Sequence, residues 1–360
     1  MAERWAVANG NWVAATFNGG TLPGAGDDVH ANGFTVTVNT SITVASLRTS
    51  AGATAAAGGA FNASGSVTIN ADSYAGTTNC LTMNASGQVQ NGDCYGGASG
   101  VTNRRGTAAS NGATINGNAF GGSHNGCYGV ILTDESFFNG DATGGNFSGA
   151  HGAVLQSGSV ANGDVYGGSV INSYGMQLDT SAKLYGNSYA DAGHAISIGA
   201  NAVMYGDAHG SEVATGWGCS VSSGGTLNGD SYGALTRASC PGCWLNGGAV
   251  HNGDAYGGGD NASYGTRVNA GGIFNGRGFG GSHSGAAGVH VFLGGTVLLR
   301  GGANATAPAG GSGSETVILL RDGASPSLVD FGSSSRVVVT AGGDPTRPFI
   351  NPPTRIGTIC

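Results

Sequence analysis

A column of glycines returns about every 23 residues, and it limits what this chain can fold into more than any other feature: Gly92, Gly117, Gly140, Gly163, Gly186, Gly206, Gly229, Gly253 and Gly276. Eight intervals carry the column from the first to the last, a mean of 23 residues each, with single spacings between 20 and 25. The flanking positions repeat with it. One residue before stand Asn91, Asn116, Asn139, Asn162, Asn228, Asn252 and Asn275, with Tyr185 and Tyr205 in the same column. One residue after come Asp93, Asp141, Asp164, Asp207, Asp230 and Asp254, with Asn118 and Asn187 among them and Arg277 at the end. Three after the glycine the column is mostly aromatic: Tyr95, Phe120, Tyr166, Tyr189, Tyr232, Tyr256 and Phe279, with Thr143 and His209 interposed.

Self-similarity at a fixed period of this length marks a stack of structural repeats. About a dozen residues after each glycine, apolar residues alternate with a period of two, as in Val130 and Leu132, Met176 and Leu178, and Ile196 and Ile198. Alternation of this kind is the mark of strands with one buried face, and no helical periodicity competes with it. One unit cannot bury its apolar face alone, so the units must pile in parallel, like residue over like. A 23-residue unit is too long for a coil with three six-residue sides. The fold expected is all-β, a right-handed parallel β-helix (β-solenoid) of about eleven rungs, with roughly 4.8 Å between rungs. "NADSYAG" at 70–76 and "LLRGGAN" at 298–304 extend the repeat at either end. The expected organisation is an N-terminal capping β module over 1–60, the coil over 61–305, terminal strands over 306–345 and a proline-rich extended tail over 346–360.

Composition narrows the function classes. Glycine supplies 72 of 360 residues but not every third one, which excludes collagen. Thirteen Lys and Arg against twenty Asp and Glu, with no basic cluster, argue against nucleic acid as a partner. No apolar run is long enough to insert in a membrane, and "MAERWAVANG" lacks the basic start and apolar core of a secretory signal, so the expectation is synthesis and folding in a cytoplasm. Seven cysteines at irregular spacings read as free thiols, and "CPGC" at 240–243 as a local turn.

Stacked carboxylates inside a dry coil are prohibitive, so the Asp and Tyr columns are expected to face outward and the small residues between them (Cys94, Ala119, Ala142, Val165) inward. The outward stripe Asp164, Tyr166, Asp207, Asp230, Tyr232, Asp254 and Tyr256 is the candidate interaction surface. It reads as solvated turn chemistry, as a subunit interface, or as a glycan-binding face in which flat rings meet the apolar side of a sugar. Asp207, Asp230 and Asp254 on successive rungs match the carboxylate spacing of a retaining glycosidase, but stacking alone enforces that spacing, and no catalytic residue is assigned. The calcium-binding G-G-x-G-x-D ladder is absent, and His124, His151, His194, His209, His251 and His283 fall in different columns and read as strand-edge residues. Neither a metal nor a cofactor is expected.

The first sixty residues stand outside the repeat. Trp12, Leu22-Pro23, Gly26-Asp27-Asp28-Val29, Asn32-Gly33 and the alternating "FTVTV" at 34–38 resemble the entry module of β-helix proteins of bacteriophage virions, and Trp5, Trp12 and Phe17 are suited to plugging the open end of a coil. The glycine-rich coil is similar in architecture to phage tailspikes, tail fibres and head-decoration fibres. That resemblance implies a non-enzymatic structural protein at the virion surface, a head decoration protein or fibre, assembled as a homotrimer. It would bind other virion proteins through the N-terminal module or the C-terminal tail. The alternative it implies is a tailspike that binds or depolymerises host-surface polysaccharide through the Asp and Tyr stripe.

Overall fold

The computed structural model describes residues 2–49, 59–76, 78–97, 104–170, 172–212, 216–236, 241–259, 264–269 and 271–276, and beyond them mainly the backbone of strands as far as Thr358. It is all-β, built of parallel strands that form a β-solenoid with about eleven turns at the 23-residue period. By its contacts the chain divides into two units, Met1–Tyr185 and Gly186–Cys360.

In the first unit each repeat contributes three short strands. One precedes the column glycine, as in Thr114–Asn116; one follows it, as in Ala119–Phe120; the third, as in Tyr128–Leu132, belongs to an opposing sheet. From Val89 on, strands pair with their equivalents one repeat away and in register: Asn91 with Asn116, Asn139 and Asn162 in turn, and Cys94 with Ala119, Ala142 and Val165. The opposing sheet runs Leu81, Thr107, Val130, Ala153, Met176. The unit Gly186–Cys360 repeats the plan, with Tyr205, Asn228, Asn252 and Asn275 in one column and Ile196, Cys219, Cys243, Thr266 and Val289 in the opposing sheet.

Inward positions hold the core, and their volumes compensate within a turn. Phe138 is opposed by the small Ala142 and Ala153, whereas one repeat on the small Ala161 is accompanied by Val165 and Met176; all six are fully buried. Keeping total volume constant while the pieces change is what close-packed interiors tolerate best. At one edge of the coil there is no room for side chains at all. A Cβ on Gly129 would lie 2.5 Å from the Phe120 amide nitrogen and 2.7 Å from the Cys94 carbonyl oxygen, and Gly152 and Gly242 stand equally close to Thr143 and Tyr232.

The first sixty residues carry the same two sheets. Trp5 aligns with His30, Arg48, Tyr74 and Tyr95, so the segment without the repeat occupies the repeat's own columns. Its opposing strands, Gly10–Asn11, Thr35–Val38 and Ala60–Ala63, pair in the same parallel sense. Of the three residues expected to plug the open end, Trp12 and Phe17 are buried with their rings 4.8 Å apart, and Phe61 lies 6.4 Å from Trp12, whereas Trp5 is only half-buried, in the column of Arg48 and Tyr74. In the C-terminal unit Thr296–Leu299, Thr316–Leu320, Ser335–Val339 and Arg355–Thr358 add successive parallel strands. Of the proline-rich tail, only Arg355–Thr358 is among the described residues, and it is a strand of this sheet.

Candidate functional site

Three outward columns beside the glycines carry the candidate residues, and each is engaged along the stacking direction. The asparagines form a ladder in which each side-chain amide donates to the carbonyl oxygen of the one before: Asn91 to Asn70 at 2.7 Å, Asn116 to Asn91 at 2.9 Å, Asn139 to Asn116 at 2.9 Å and Asn162 to Asn139 at 2.8 Å. The Gly186–Cys360 unit repeats it with Asn252 to Asn228 at 2.9 Å.

In the acidic column carboxylates accept the backbone N–H of their successors within each unit. Asp93 Oδ1 takes the amide of Asn118 at 2.8 Å and Asp141 that of Asp164 at 2.8 Å; Asp207 and Asp230 take those of Asp230 and Asp254, each at 2.8 Å. Asn118 and Asn187 do the same for Asp141 and Asp207 at 3.0 and 2.9 Å. An amide oxygen therefore replaces the carboxylate without loss of the bond, so this role requires an acceptor and not an acid.

The rings stack face to face. Tyr74, Tyr95 and Phe120 have centroids 4.3 and 4.9 Å apart, with the Arg48 guanidinium over Tyr74 at 4.2 Å. Tyr189, His209, Tyr232 and Tyr256 form a second stack at 4.8, 4.7 and 4.9 Å. Ring faces are covered by neighbours and only edges meet the surroundings, which differs from the open faces expected of a sugar platform. Tyr232 donates to Asp230 Oδ2 at 3.4 Å; desolvation first, and then the Asp230 charge, push its phenol up to about 12.

The stripe expected from sequence is thus distributed. Asp164 and Tyr166 belong to the unit Met1–Tyr185, where Thr143 precedes Tyr166 in the ring column and Tyr166 is 39% exposed. Asp207, Asp230, Tyr232, Asp254 and Tyr256 lie in the other unit, on three consecutive turns. Beside them runs a groove of about 440 Å³ lined by Tyr189, His209, Tyr232 and Tyr256, floored by glycines and walled by Glu212 and the exposed Leu235. Glu212 is the one carboxylate of that lining. Desolvation acts to raise its pKa, but the Leu235 and Thr236 amides at 2.6 and 3.0 Å and the Thr236 hydroxyl at 2.9 Å outweigh it and hold the group below the usual range. Ionised and fully engaged, it has no proton to give a leaving group.

Two features escaped the reading of the sequence. A further ring column lies beside the opposing sheet: Tyr128, His151 and Tyr174 at 5.3 and 5.1 Å in one unit, and His194 and Trp217 at 4.2 Å in the other, where Trp244, the register partner of Ser220 in a neighbouring column, lies 3.8 Å from Trp217. The signal was present, since 128, 151, 174 and again 194, 217 are each 23 apart. One histidine also corrects the strand-edge assignment, since it lies in the middle of the strand Val250–Asn252. His251 is fully buried, its Nε2 2.7 Å from the Gly229 carbonyl and its Nδ1 2.8 Å from the Thr266 hydroxyl. His151 and His194, also buried, accept the amides of Tyr174 at 3.2 Å and Trp217 at 3.0 Å through Nδ1. Among the described residues no cluster of His, Cys, Asp and Glu forms a metal site, and no helix is long and apolar enough to cross a membrane. No protein-family model, curated protein or solved structure matches this chain.

Proposed function

We propose that this protein is a non-enzymatic structural component of a bacteriophage virion surface, a head decoration protein or fibre, acting as a stiff coil that displays uniform stripes of side chains. One observation carries the non-enzymatic part: the Asn, Asp and ring columns, which hold the chemistry-bearing groups of the stripe, are occupied with joining one turn to the next. A carboxylate that Asn replaces in its own column is doing structural work. The virion assignment rests on the resemblance of Trp12, Leu22-Pro23 and Gly26-Asp27-Asp28-Val29 to phage β-helix entry modules, and homotrimeric assembly comes from the same source. The test is to locate the chain in purified particles with an antibody or by electron microscopy. Regular copies on the outer surface are expected; a chain found only free in the lysate overturns the reading.

A second reading is favoured by the groove beside Tyr189, His209, Tyr232 and Tyr256. Its ring edges recur every 4.7–4.9 Å, and a linear host-surface polysaccharide lying along it would meet a like contact at each step. Polysaccharide binding weakened at least tenfold by Tyr232→Ala, without release of reducing ends, identifies an adhesin. Release of reducing ends defeats the non-enzymatic proposal.

A further inference from the structure

Two cysteines face each other across consecutive turns of the core in the Gly186–Cys360 unit. Cys219 and Cys243 are register partners in the opposing sheet, both fully buried, with their Sγ atoms 2.7 Å apart. Both are free thiols in contact with each other, with no other residue between the two sulfurs. In-register strands bring their Cα atoms about 4.8 Å apart, inside the span a disulfide bridges. The strand backbones hold that position independently of the sulfurs, through Cys219 N–H to the Gly242 carbonyl at 2.8 Å and Cys243 N–H to the Gly265 carbonyl at 2.9 Å. Other buried thiols are placed differently: Cys80 donates to the Leu47 carbonyl at 3.1 Å and Cys94 to the Thr107 hydroxyl at 3.4 Å.

We propose that Cys219 and Cys243 are an oxidation site, joined by a disulfide that staples two consecutive turns of the coil. The oxidant is a small-molecule disulfide such as glutathione disulfide. The thiolate of one cysteine attacks an oxidant sulfur, forming a mixed disulfide and expelling one glutathione thiolate, which takes up the proton. The second cysteine's thiolate then attacks the protein sulfur of that mixed disulfide, forming the Cys219–Cys243 bond and expelling the second glutathione. The two cysteines are oxidised by two electrons and one glutathione disulfide is reduced to two thiols. Burial raises the Cys243 thiol well above its ordinary value, which suppresses the attacking thiolate once the turns have closed. Oxidation therefore belongs to the folding chain, or to a transient opening, and the closed coil keeps whichever state it has received.

The test uses the full chain refolded with and without glutathione disulfide, alkylated in denaturant, and mapped by non-reducing peptide mass spectrometry. The expected product is a Cys219–Cys243 peptide pair lighter by two hydrogens than the separate thiols, retained in Cys240→Ser and absent from Cys219→Ser. The oxidised wild-type chain should melt several degrees above its reduced form, and Cys219→Ser should show no such difference. Two alkylated thiols at 219 and 243 after oxidative refolding, or a bond formed instead between Cys240 and Cys243, overturns the proposal. Should Cys219→Ser fail to fold, the wild-type peptide map alone decides.

Discussion

At the scale of single residues, the acidic column separates what a side chain looks suited to do from what it does. Asp207, Asp230 and Asp254 have the chemistry and the spacing of catalytic carboxylates, yet Asp207 and Asp230 are pinned as acceptors for the next turn's amide. Replacing Asp230 by Asn keeps the Oδ1 acceptor and removes one charge from a file of like charges, so its stability should stay within about 0.5 kcal/mol of wild type. Asp230→Ala removes the acceptor and leaves the Asp254 amide to solvent, at a cost of about 1–2 kcal/mol. Urea unfolding of the two variants distinguishes them; equal losses would show that the charge and not the acceptor matters. The columns themselves were legible because each repeats a residue type. The bond from carboxylate to the next backbone was not, because a period says which residues lie above one another and nothing about which atoms touch.

Among elements, the tight turns leading into the pre-glycine strands are the least uniform part of the repeat. From Asn111 to Gly248 the described turns place two consecutive residues at positive φ, and most are closed by a bond of the Asp179 carbonyl to Ala182 N–H type, 3.1 Å there. Asn111-Gly112 and Ser157-Gly158 suit that conformation, whereas Thr180-Ser181 has φ of 46° and 65° with a β-branched residue at the first position. Thr180→Asn with Ser181→Gly should stabilise the chain by about 1–2 kcal/mol, since a left-handed conformation costs roughly that much per ordinary residue. Thermal melting reads this directly, and a lower melting temperature would refute the assignment of strain. The sequence hid these turns because Thr-Ser and Ala-Asn carry no turn signature; the shared conformation appears only once strands on both sides are in register. The second glycine file, with Gly129, Gly152, Gly175, Gly218 and Gly242, was obscured for a related reason. It is required by backbone meeting backbone across the coil, a contact between residues distant along one turn.

For the whole molecule, three buried histidines tie stability to acidity. Desolvation lowers His151, His194 and His251 from 6.5 to about 4, so the unfolded chain binds protons below pH 6.5 that the folded chain refuses until about pH 4. Their contribution is complete above pH 6.5, falls as pH drops through the window from 6.5 to 4, and levels off below it. At 1.36 kcal/mol per unit, each histidine contributes up to about 3 kcal/mol of that loss. Melting temperatures measured from pH 8 to pH 4 should be flat and then decline steeply below 6.5; a flat profile down to pH 4.5 would mean that these rings are hydrated. The sequence alone determined the parallel β-coil, its period, and which columns face in or out, because every turn must set a side chain over its equivalent and a two-residue alternation leaves only two faces. It also placed Trp12 and Phe17 in the core, though it wrongly grouped the half-buried Trp5 with them. Only the tertiary structure decided that the N-terminal sixty residues share the coil's columns, that ring faces are spent on one another, that His251 lies inside, and that Cys219 meets Cys243. Those outcomes depend on distances across the coil and between turns, which a one-dimensional period does not encode.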